Sequence, residues 1–221
     1  MDNYSVKDNH DIELNEIFKK YSLNNDIVRR GLVSQDQVVR NAILFVGINP
    51  SYKYGSPFTN PTNYYNLLQA GNPYKTYFRR FEDISEKTKT YWTHIDLLYF
   101  QETNQKMVEH FLNHSEETRS FIVDQLKVTR TILENIQPKM IVISNALAGY
   151  VFGNRTRVNL GYNHEFDHQL GTHVIHDKNS NLNKTPIFFT SMLTGVRALD
   201  NGSYERLIWH INKILNTHNS K

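Results

Sequence analysis

The chain has 221 residues, enough for one domain with a substantial hydrophobic core. It contains no cysteine, which excludes disulfides, thiolate catalysis and cysteine-bound zinc or iron–sulfur clusters. The net charge of +3 at pH 7 mildly favours a polyanionic partner. No apolar run reaches the ~18 residues of a membrane span, and no secretory leader is visible, so a cytoplasmic protein is expected.

The first 40 residues predict a helical extension that precedes the main domain. Apolar side chains recur at helical spacing from Asp11 to Tyr21, and Asp11 suits a helix N-cap. Residues 22–40 predict a second short helix and a linker. Residues 41–221 predict a single domain in which strands and helices alternate.

The main domain predicts a parallel sheet, because its apolar segments are typical of strands buried on both faces. Strands are predicted at residues 42–47, 91–98, 140–144 and 186–190, with an edge strand at 173–176; helices are predicted at residues 62–71, 74–81, 116–136, 145–152 and 203–215. This alternation predicts an α/β fold of three layers, α/β/α, around a mostly parallel four-stranded sheet. In such sheets, ligands bind beyond the carboxyl ends of the strands.

The end of the first of these strands carries the most distinctive motif. The apolar run 43–46 stops at a Gly-Ile-Asn-Pro-Ser segment, residues 47–51. Gly47 lets another group approach the backbone closely, and Pro50 fixes the local φ. An amide held at this position, Asn49, can orient a water molecule or a ligand, or it can cap the turn.

A second motif follows the first one a few residues further along the chain. A Pro-Phe-x-x-Pro-x-Asn sequence spans residues 57–63, and a predicted helix ends in Gln-Ala-Gly at residue 71. Together the two pieces resemble the mismatch-specific uracil/thymine-DNA glycosylases of the uracil-DNA glycosylase superfamily. The resemblance is close over residues 43–71 and is limited to the fold pattern over residues 90–215. It implies an α/β/α domain, a DNA partner, a monomer, and neither a metal nor another cofactor.

The resemblance assigns roles to three residues. In this family, the Asn of Gly-Ile-Asn-Pro positions the water that cleaves the N-glycosidic bond, and Asn49 matches it. An aromatic side chain in the following loop stacks the base that is flipped out of the duplex, and Phe58 matches it. Asn63 matches the loop Asn. A core aromatic and a helix cap are the respective alternatives for Phe58 and Asn63.

Two polar residues in the strand predicted at 91–98 are further candidates. His94 and Asp96 are two residues apart, so both point to the same face of the sheet. A buried carboxylate needs a partner or a function. Asp96 therefore either reads the edge of a base or acts as a general base; the alternative is a structural carboxylate that pairs with an amide or an Arg.

The sequence departs from the family after the last predicted strand, where a His-Pro-Ser or Asn-Pro-Ser motif usually supplies a donor to the base and a wedge into the duplex. Residues 189–197 read Phe-Thr-Ser-Met-Leu-Thr-Gly-Val-Arg. Thr190 or Ser191 would replace the donor, and Leu193 or Arg197 the wedge. Because a hydroxyl stabilises a developing anion less well than an imidazole or an amide, weak or absent release of uracil, with nucleic-acid binding retained, is expected.

The predicted function is hydrolysis of the N-glycosidic bond of uracil or of another modified or mismatched base in DNA. The alternatives are a catalytically silent nucleic-acid-binding module and an enzyme that acts on nucleosides or nucleotides. The helix start predicted at Ser203 suits a phosphate, or is simply capped. The expected catalytic residues are Asn49 and Asp96; the expected substrate-binding residues are Gly47, Ile48, Pro50, Ser51, Phe58, Asn63, His94, Asn145, Thr190 and Ser191; the expected nucleic-acid contacts are Leu193, Thr194, Arg197 and Ser203.

Overall fold

The computed structural model describes residues 2–21, 26–52, 62–67, 75–153 and 157–219. The helices in these ranges are α1 (Val6–Tyr21), α2 (Asp26–Arg29), α3 (Lys75–Thr88), α4 (Gln105–Asn113), α5 (Glu116–Ile136), α6 (Ala146–Phe152) and α7 (Asn201–Asn219). The strands are β1 (Asn3–Ser5), β2 (Leu32–Gln35), β3 (Gln37–Val39), β4 (Ile43–Gly47), β5 (Thr62–Tyr65), β6 (Trp92–Asp96), β7 (Met140–Ile143), β8 (His164–Asp167), β9 (Thr172–Ile175) and β10 (Pro186–Phe189).

The central sheet has six strands in the order β6-β4-β7-β10-β9-β8. The first four run parallel to one another, and β9 and β8 are antiparallel to their neighbours. The expected α/β fold with a mostly parallel sheet is confirmed, but the expected count of four strands is wrong. Strand β8 was missed because its sequence, His-Glu-Phe-Asp, lacks the apolar run of a buried strand, and β8 rather than β9 forms the edge.

Helices cover both faces of this sheet, which explains why β4 and β7 are apolar at every position. Leu44 and Val46 point to a core that also contains apolar residues of α1, α5 and α6. Their neighbours Ile43 and Phe45 point to the opposite core, which α3 and α7 complete. A strand buried on both faces needs an uninterrupted apolar run, as the sequence predicts.

Helix α5 fixes the direction in which the chain leaves strand β6. Ser115 begins this helix with a capping box, in which its side chain accepts from Thr118 N. Two buried polar side chains on the helix then bond the backbone after β6: Gln125 Oε1 accepts from Tyr99 N at 2.8 Å, and Thr129 Oγ1 donates to Leu97 O at 2.8 Å. The segment that follows Asp96 is therefore held against α5.

The N-terminal segment contains strands as well as helices. The region predicted as a linker forms β2 and β3, and β2 pairs in parallel with β5. The helix predicted to begin at Thr62 is therefore wrong over Thr62–Tyr65. Tertiary contacts determine this conformation. Val33 N donates to Tyr99 O at 2.9 Å, so β2 lies beside the segment that follows β6, and its other edge pairs with the Tyr-rich β5.

Candidate active site

A pocket of about 220 Å³ opens beyond the carboxyl ends of β4 and β6. Six predicted site residues line it: Asn49, Pro50, Ser51, Asn63, His94 and Asp96. The other lining residues are Val33, Tyr65, Tyr77, Phe78 and Gln101. We call it the amide–carboxylate pocket, because Asn49 and Asp96 carry its chemistry.

The amide of Asn49 is held through its nitrogen. Nδ2 donates to the carbonyl oxygens of Pro50 at 2.9 Å and Glu102 at 2.8 Å, with Phe100 O at 3.3 Å. All three neighbours are acceptors, so they fix which end of the amide is nitrogen. Within the described residues, no hydrogen bond to Oδ1 is present, which leaves this oxygen as an acceptor for a water molecule or a ligand.

A buried ion pair supports the loop that holds Asn49. The carboxylate of Glu102 accepts from Arg30 Nη1 at 2.7 Å and from Asn104 N at 2.7 Å. The Glu102 side chain is 1% exposed and that of Arg30 is 11% exposed. Arg30 Nη1 also donates to Gln101 O at 2.9 Å, so one guanidinium fixes the backbone that accepts from Asn49.

Replacing Glu102 by Ala should lower the free energy of unfolding by about 3–5 kcal/mol, because it leaves the Arg30 guanidinium buried without its counter-charge. Urea denaturation monitored by circular dichroism measures this change. The control is Glu116→Ala, since Glu116 is 93% exposed and forms only a surface pair with Arg119. Equal stability of the two variants would contradict the supporting role of the Arg30–Glu102 pair.

Asp96 lies directly against the backbone of Gly47. The two residues are partners in the parallel register of β4 and β6, and a Cβ added to Gly47 would collide with Asp96 Oδ1. Gly47 therefore makes room for the carboxylate rather than lining the pocket itself. In the part of the chain that the structure describes, neither an Arg nor an amide pairs with Asp96, which disfavours a purely structural carboxylate.

His94 and Asp96 respond to burial in opposite directions. Burial raises the pKa of Asp96 to about 7 and lowers the pKa of His94 to about 3. His94 is thus a neutral imidazole at pH 7, and its Nε2 is 3.9 Å from Asp96 Oδ1, too far for a hydrogen bond. Its buried Nδ1 has no hydrogen-bond partner among the described residues, so this ring carries an unsatisfied polar atom.

Helix α3 supplies aromatic walls that the sequence analysis did not assign to the site. Phe78 is buried and its ring meets that of His94 edge-on, at 5.1 Å between centroids. Tyr77 is 44% exposed at the pocket, and burial raises the pKa of its hydroxyl, with the nearby Thr194 side chain opposing this shift. The signal in the sequence was the aromatic spacing between residues 74 and 81, but spacing alone does not show which ring faces a pocket.

Ile48 and Phe58, which belong to the matched motifs, are not placed at the pocket. The side chain of Ile48 is buried in the core that contains α5, because alternate residues at the end of β4 point to opposite faces of the sheet. The expected contact with a substrate is therefore not seen for Ile48. Phe58 lies outside the described residues.

The segment after β10 differs most from the prediction. Leu193 is 1% exposed and belongs to the core beneath α7, so it is not placed as a wedge. Arg197 is exposed. Helix α7 begins at Asn201, and Asp200 caps it by accepting from Ser203 N at 3.0 Å and Ser203 Oγ at 2.6 Å. The carboxylate of Asp200 therefore occupies the N-terminus of α7, where the sequence analysis expected either a bound phosphate or a capping residue.

Three predicted residues lie in a second pocket, of about 390 Å³, between α6 and strands β8 to β10. Asn145 lies at its rim, where its side chain accepts from Ala148 N and caps α6. Thr190 and Ser191 follow β10. We call this the histidine pocket, and its lining residues are Ile143, Asn145, Ala146, Gly149, Tyr150, Gly153, His164, His173, Phe189, Thr190 and Ser191.

Comparison with protein-family models and with curated protein sequences returns no match for the chain. Over the described ranges, no three His, Asp or Glu side chains are grouped so that they could hold a metal ion. In the same ranges, no helix is both long enough and apolar enough to cross a membrane. The geometry of the two pockets is therefore what indicates the function.

Proposed function

We propose that the protein hydrolyses the N-glycosidic bond of a modified or mismatched base in DNA, with a three-layer domain like that of the uracil-DNA glycosylases. One observation carries the proposal: a single pocket at the carboxyl edge of the sheet contains an amide that, among the described residues, is held only through its nitrogen, and a buried carboxylate that has no counter-charge among those residues. The first is suited to orient a water molecule, and the second to accept a proton from it.

The proposed reaction uses each group once. The bond between C1′ and the base nitrogen breaks, and its electron pair leaves with the base. The water oxygen bonds to C1′ while Asn49 Oδ1 accepts a hydrogen bond from one of its protons. The other proton passes to the ionised carboxylate of Asp96. The pKa of about 7 gives this carboxylate a useful basicity at neutral pH without depriving it of its ionised form.

The walls of the amide–carboxylate pocket are suited to a flat heterocycle. Tyr77 and Phe78 offer aromatic surface, and Asn63 and the neutral imidazole of His94 offer hydrogen-bonding groups. A flipped base is read by this combination of stacking and edge contacts. A donor on His94 would also stabilise the negative charge that develops on the departing base.

The loop after β10 offers a different wedge from the expected one. Val196 is fully exposed, between Gly195 at φ 88° and the exposed Arg197. Arg80 on α3 holds both ends of this loop, because its Nη1 donates to Leu193 O at 3.1 Å and to Leu199 O at 2.9 Å. We assign Val196 the role of the apolar side chain that enters the base stack.

Replacing Val196 by Asp should lower excision from double-stranded DNA by about tenfold or more, because a charged side chain does not stabilise an unstacked duplex. Excision from single-stranded DNA should change little, since no duplex has to be opened. The ratio of the two rates measures the effect. Val123→Asp is the control, since Val123 is a partly exposed Val on α5. An equal loss on both substrates would contradict the wedge.

The proposal is tested with oligonucleotides that each carry one modified base, in single strands and opposite each normal base. Alkaline cleavage at the abasic site, together with detection of the released base, measures hydrolysis. Release of at least one base, with uracil a weak substrate, is expected from the altered second motif. Binding of the same oligonucleotides without release of any base would instead support a catalytically silent binding module.

A second candidate function is hydrolysis of a free nucleoside. It is favoured by the absence of Lys and Arg from the described lining of the amide–carboxylate pocket and by the internal use of Arg80. Such a pocket suits an uncharged ligand rather than a phosphate. Chromatography detects the released base. Release from nucleosides but not from oligonucleotides would favour this candidate.

A further inference from the structure

The histidine pocket contains two hydrogen-bonded histidine side chains that the proposed reaction does not use. His164 on β8 and His173 on β9 are diagonal neighbours on one face of the antiparallel pair. Their Nδ1 atoms are 3.2 Å apart, so one ring donates to the other. Each ring is therefore oriented by its neighbour, and their edges form one wall of the pocket.

Helix α6 forms the opposite wall through its glycines. A Cβ on Gly153 would come within 2.7 Å of His164 Nε2, and a Cβ on Gly149 within 3.3 Å of the Phe189 ring. Gly149 lies on α6, and Gly153 caps this helix one turn further on, so both approach the side chains of β8 and β10. The close approach of α6 to the His and Phe rings depends on the missing side chains at both positions.

The chemistry of the lining defines a class of ligand. It contains no Asp, Glu, Lys or Arg among the described residues, so it offers no counter-charge to an ion. Phe189 and Tyr150 are 38% and 46% exposed at the pocket, which gives two accessible rings for stacking. Hydroxyls of Thr190 and Ser191 and the imidazoles add hydrogen-bonding groups. This combination suits an uncharged, planar heterocycle, and about 390 Å³ lies in the usual range for a ligand site.

We propose that the histidine pocket binds an unpaired nucleobase, stacked on Phe189, at a site separate from the amide–carboxylate pocket. The base belongs either to a DNA strand that also enters the first pocket or to a free nucleoside. One strand can reach both sites, since Ser191 lines the histidine pocket and Thr194, three residues further on, lies near Tyr77 of the other pocket. Three residues of extended chain span at most ~11 Å.

The test uses the full chain, labelled with ¹⁵N and ¹³C at histidine. Thymidine, adenosine and deoxyribose are titrated separately, and the imidazole resonances of His164 and His173 are followed by NMR. Both nucleosides should shift these resonances, and deoxyribose, which lacks a base, should not. Phe189→Leu should weaken nucleoside binding about tenfold, because one stacking contact is lost.

Phe166→Leu is the matched control for loss of a ring beside the histidine pair, because the exposed Phe166 contacts His173 edge-on, at 5.6 Å between centroids, but does not line the pocket. It should bind nucleosides as the wild type does. A second variant, Tyr150→Leu, tests the other ring without altering the sheet. Unmoved resonances of His164 and His173 at millimolar nucleoside, or unchanged binding in both Leu variants at Phe189 and Tyr150, would overturn the proposal.

Anisotropy with a labelled oligothymidylate of about ten nucleotides distinguishes the two sources of the base. Weaker oligonucleotide binding in Phe189→Leu, with Phe166→Leu unchanged, identifies a DNA strand; an effect confined to nucleosides identifies a free ligand. Either result supports a nucleobase site. The outcome is separate from that of the proposed hydrolysis, since nucleobase binding by an inactive protein would refute only the hydrolysis, and base release with unmoved histidine resonances would refute only this site.

Discussion

Replacing Asp96 by Asn should make the protein more stable at pH 8 and nearly inactive. The carboxylate is buried with no counter-charge among the described residues, and burial raises its pKa to about 7 from an ordinary value of 3.8. An Asn side chain has almost the same shape and carries no charge. The gain in the free energy of unfolding is up to about 4 kcal/mol, from ~3 pKa units at 1.36 kcal/mol each.

The pH dependence of this gain has a definite sign. Between about pH 4 and pH 7 the folded protein keeps the Asp96 proton that the unfolded chain has released, so the contribution of Asp96 to stability falls as pH rises. His94 acts in the opposite direction: its pKa is lowered to about 3, so stability is lost as pH falls from about 6.5. The advantage of Asp96→Asn should therefore grow from pH 4 to pH 8, whereas the His94 effect is common to both proteins.

The activity of the same variant should fall by about 10²–10⁴-fold, as expected for loss of a general base. In the wild type, the rate should rise with pH through about 7 and then level off as the carboxylate ionises. Asp124→Asn is the matched control: Lys20, Tyr21 and Lys127 hold that carboxylate, and the variant should be less stable with unchanged turnover. An Asp96→Asn protein that is less stable at pH 8, or fully active, would contradict the assignment.

Replacing Asn49 by Ala should lower turnover by about 10²–10³-fold, the usual effect of removing one preorganised hydrogen-bonding group at a reacting centre. The variant should also lose about 1–2 kcal/mol of stability, because Nδ2 bonds the carbonyl oxygens of Pro50 and Glu102. Single-turnover kinetics with the best substrate of the oligonucleotide panel measures the first effect, and urea denaturation the second.

A control is needed because Asn49 also ties two loops together. Thr103 joins the same loops, since its Oγ1 donates to Tyr52 O at 2.6 Å and accepts from Tyr52 N at 2.9 Å, and it does not line the pocket. Thr103→Val should therefore reduce stability by a similar amount and leave most of the activity. Equal losses of turnover in the two variants would show that Asn49 acts only by holding the loops.

The site residues that could be predicted from the sequence are those that lie on a strand or directly after one. An apolar run located β4, the aromatic and aliphatic residues around His94 located β6, and the parallel arrangement then brought Asn49 and Asp96 to one edge of the sheet. The pairing of Gly47 with Asp96 needed the register as well. No local pattern reports the Arg30–Glu102 pair, because its members are 72 residues apart and meet only after β2 lies beside the exit from β6.

The wrong predictions from sequence also come from contacts between residues that are distant in the chain. The Thr62–Tyr65 segment has turn residues that suit a helix start, but pairing with β2 determines its conformation. Leu193 was a candidate wedge because it lies in the right loop, yet the apolar surface of α7 buries it and leaves Val196 exposed. Thr190 and Ser191 follow β10, and strands β8 and β9 give that end of the sheet a pocket of its own.

The Arg30–Glu102 pair also bears on how the protein can be shortened or recombined. Arg30 and the β2 residue Val33 belong to the segment that sequence assigned to an extension, yet one holds the loop around Asn49 and the other lines its pocket. A version trimmed to begin at residue 41 would retain every candidate catalytic side chain while losing part of their scaffold. Chimeras and minimal versions of this protein should therefore carry the first 40 residues together with the sheet.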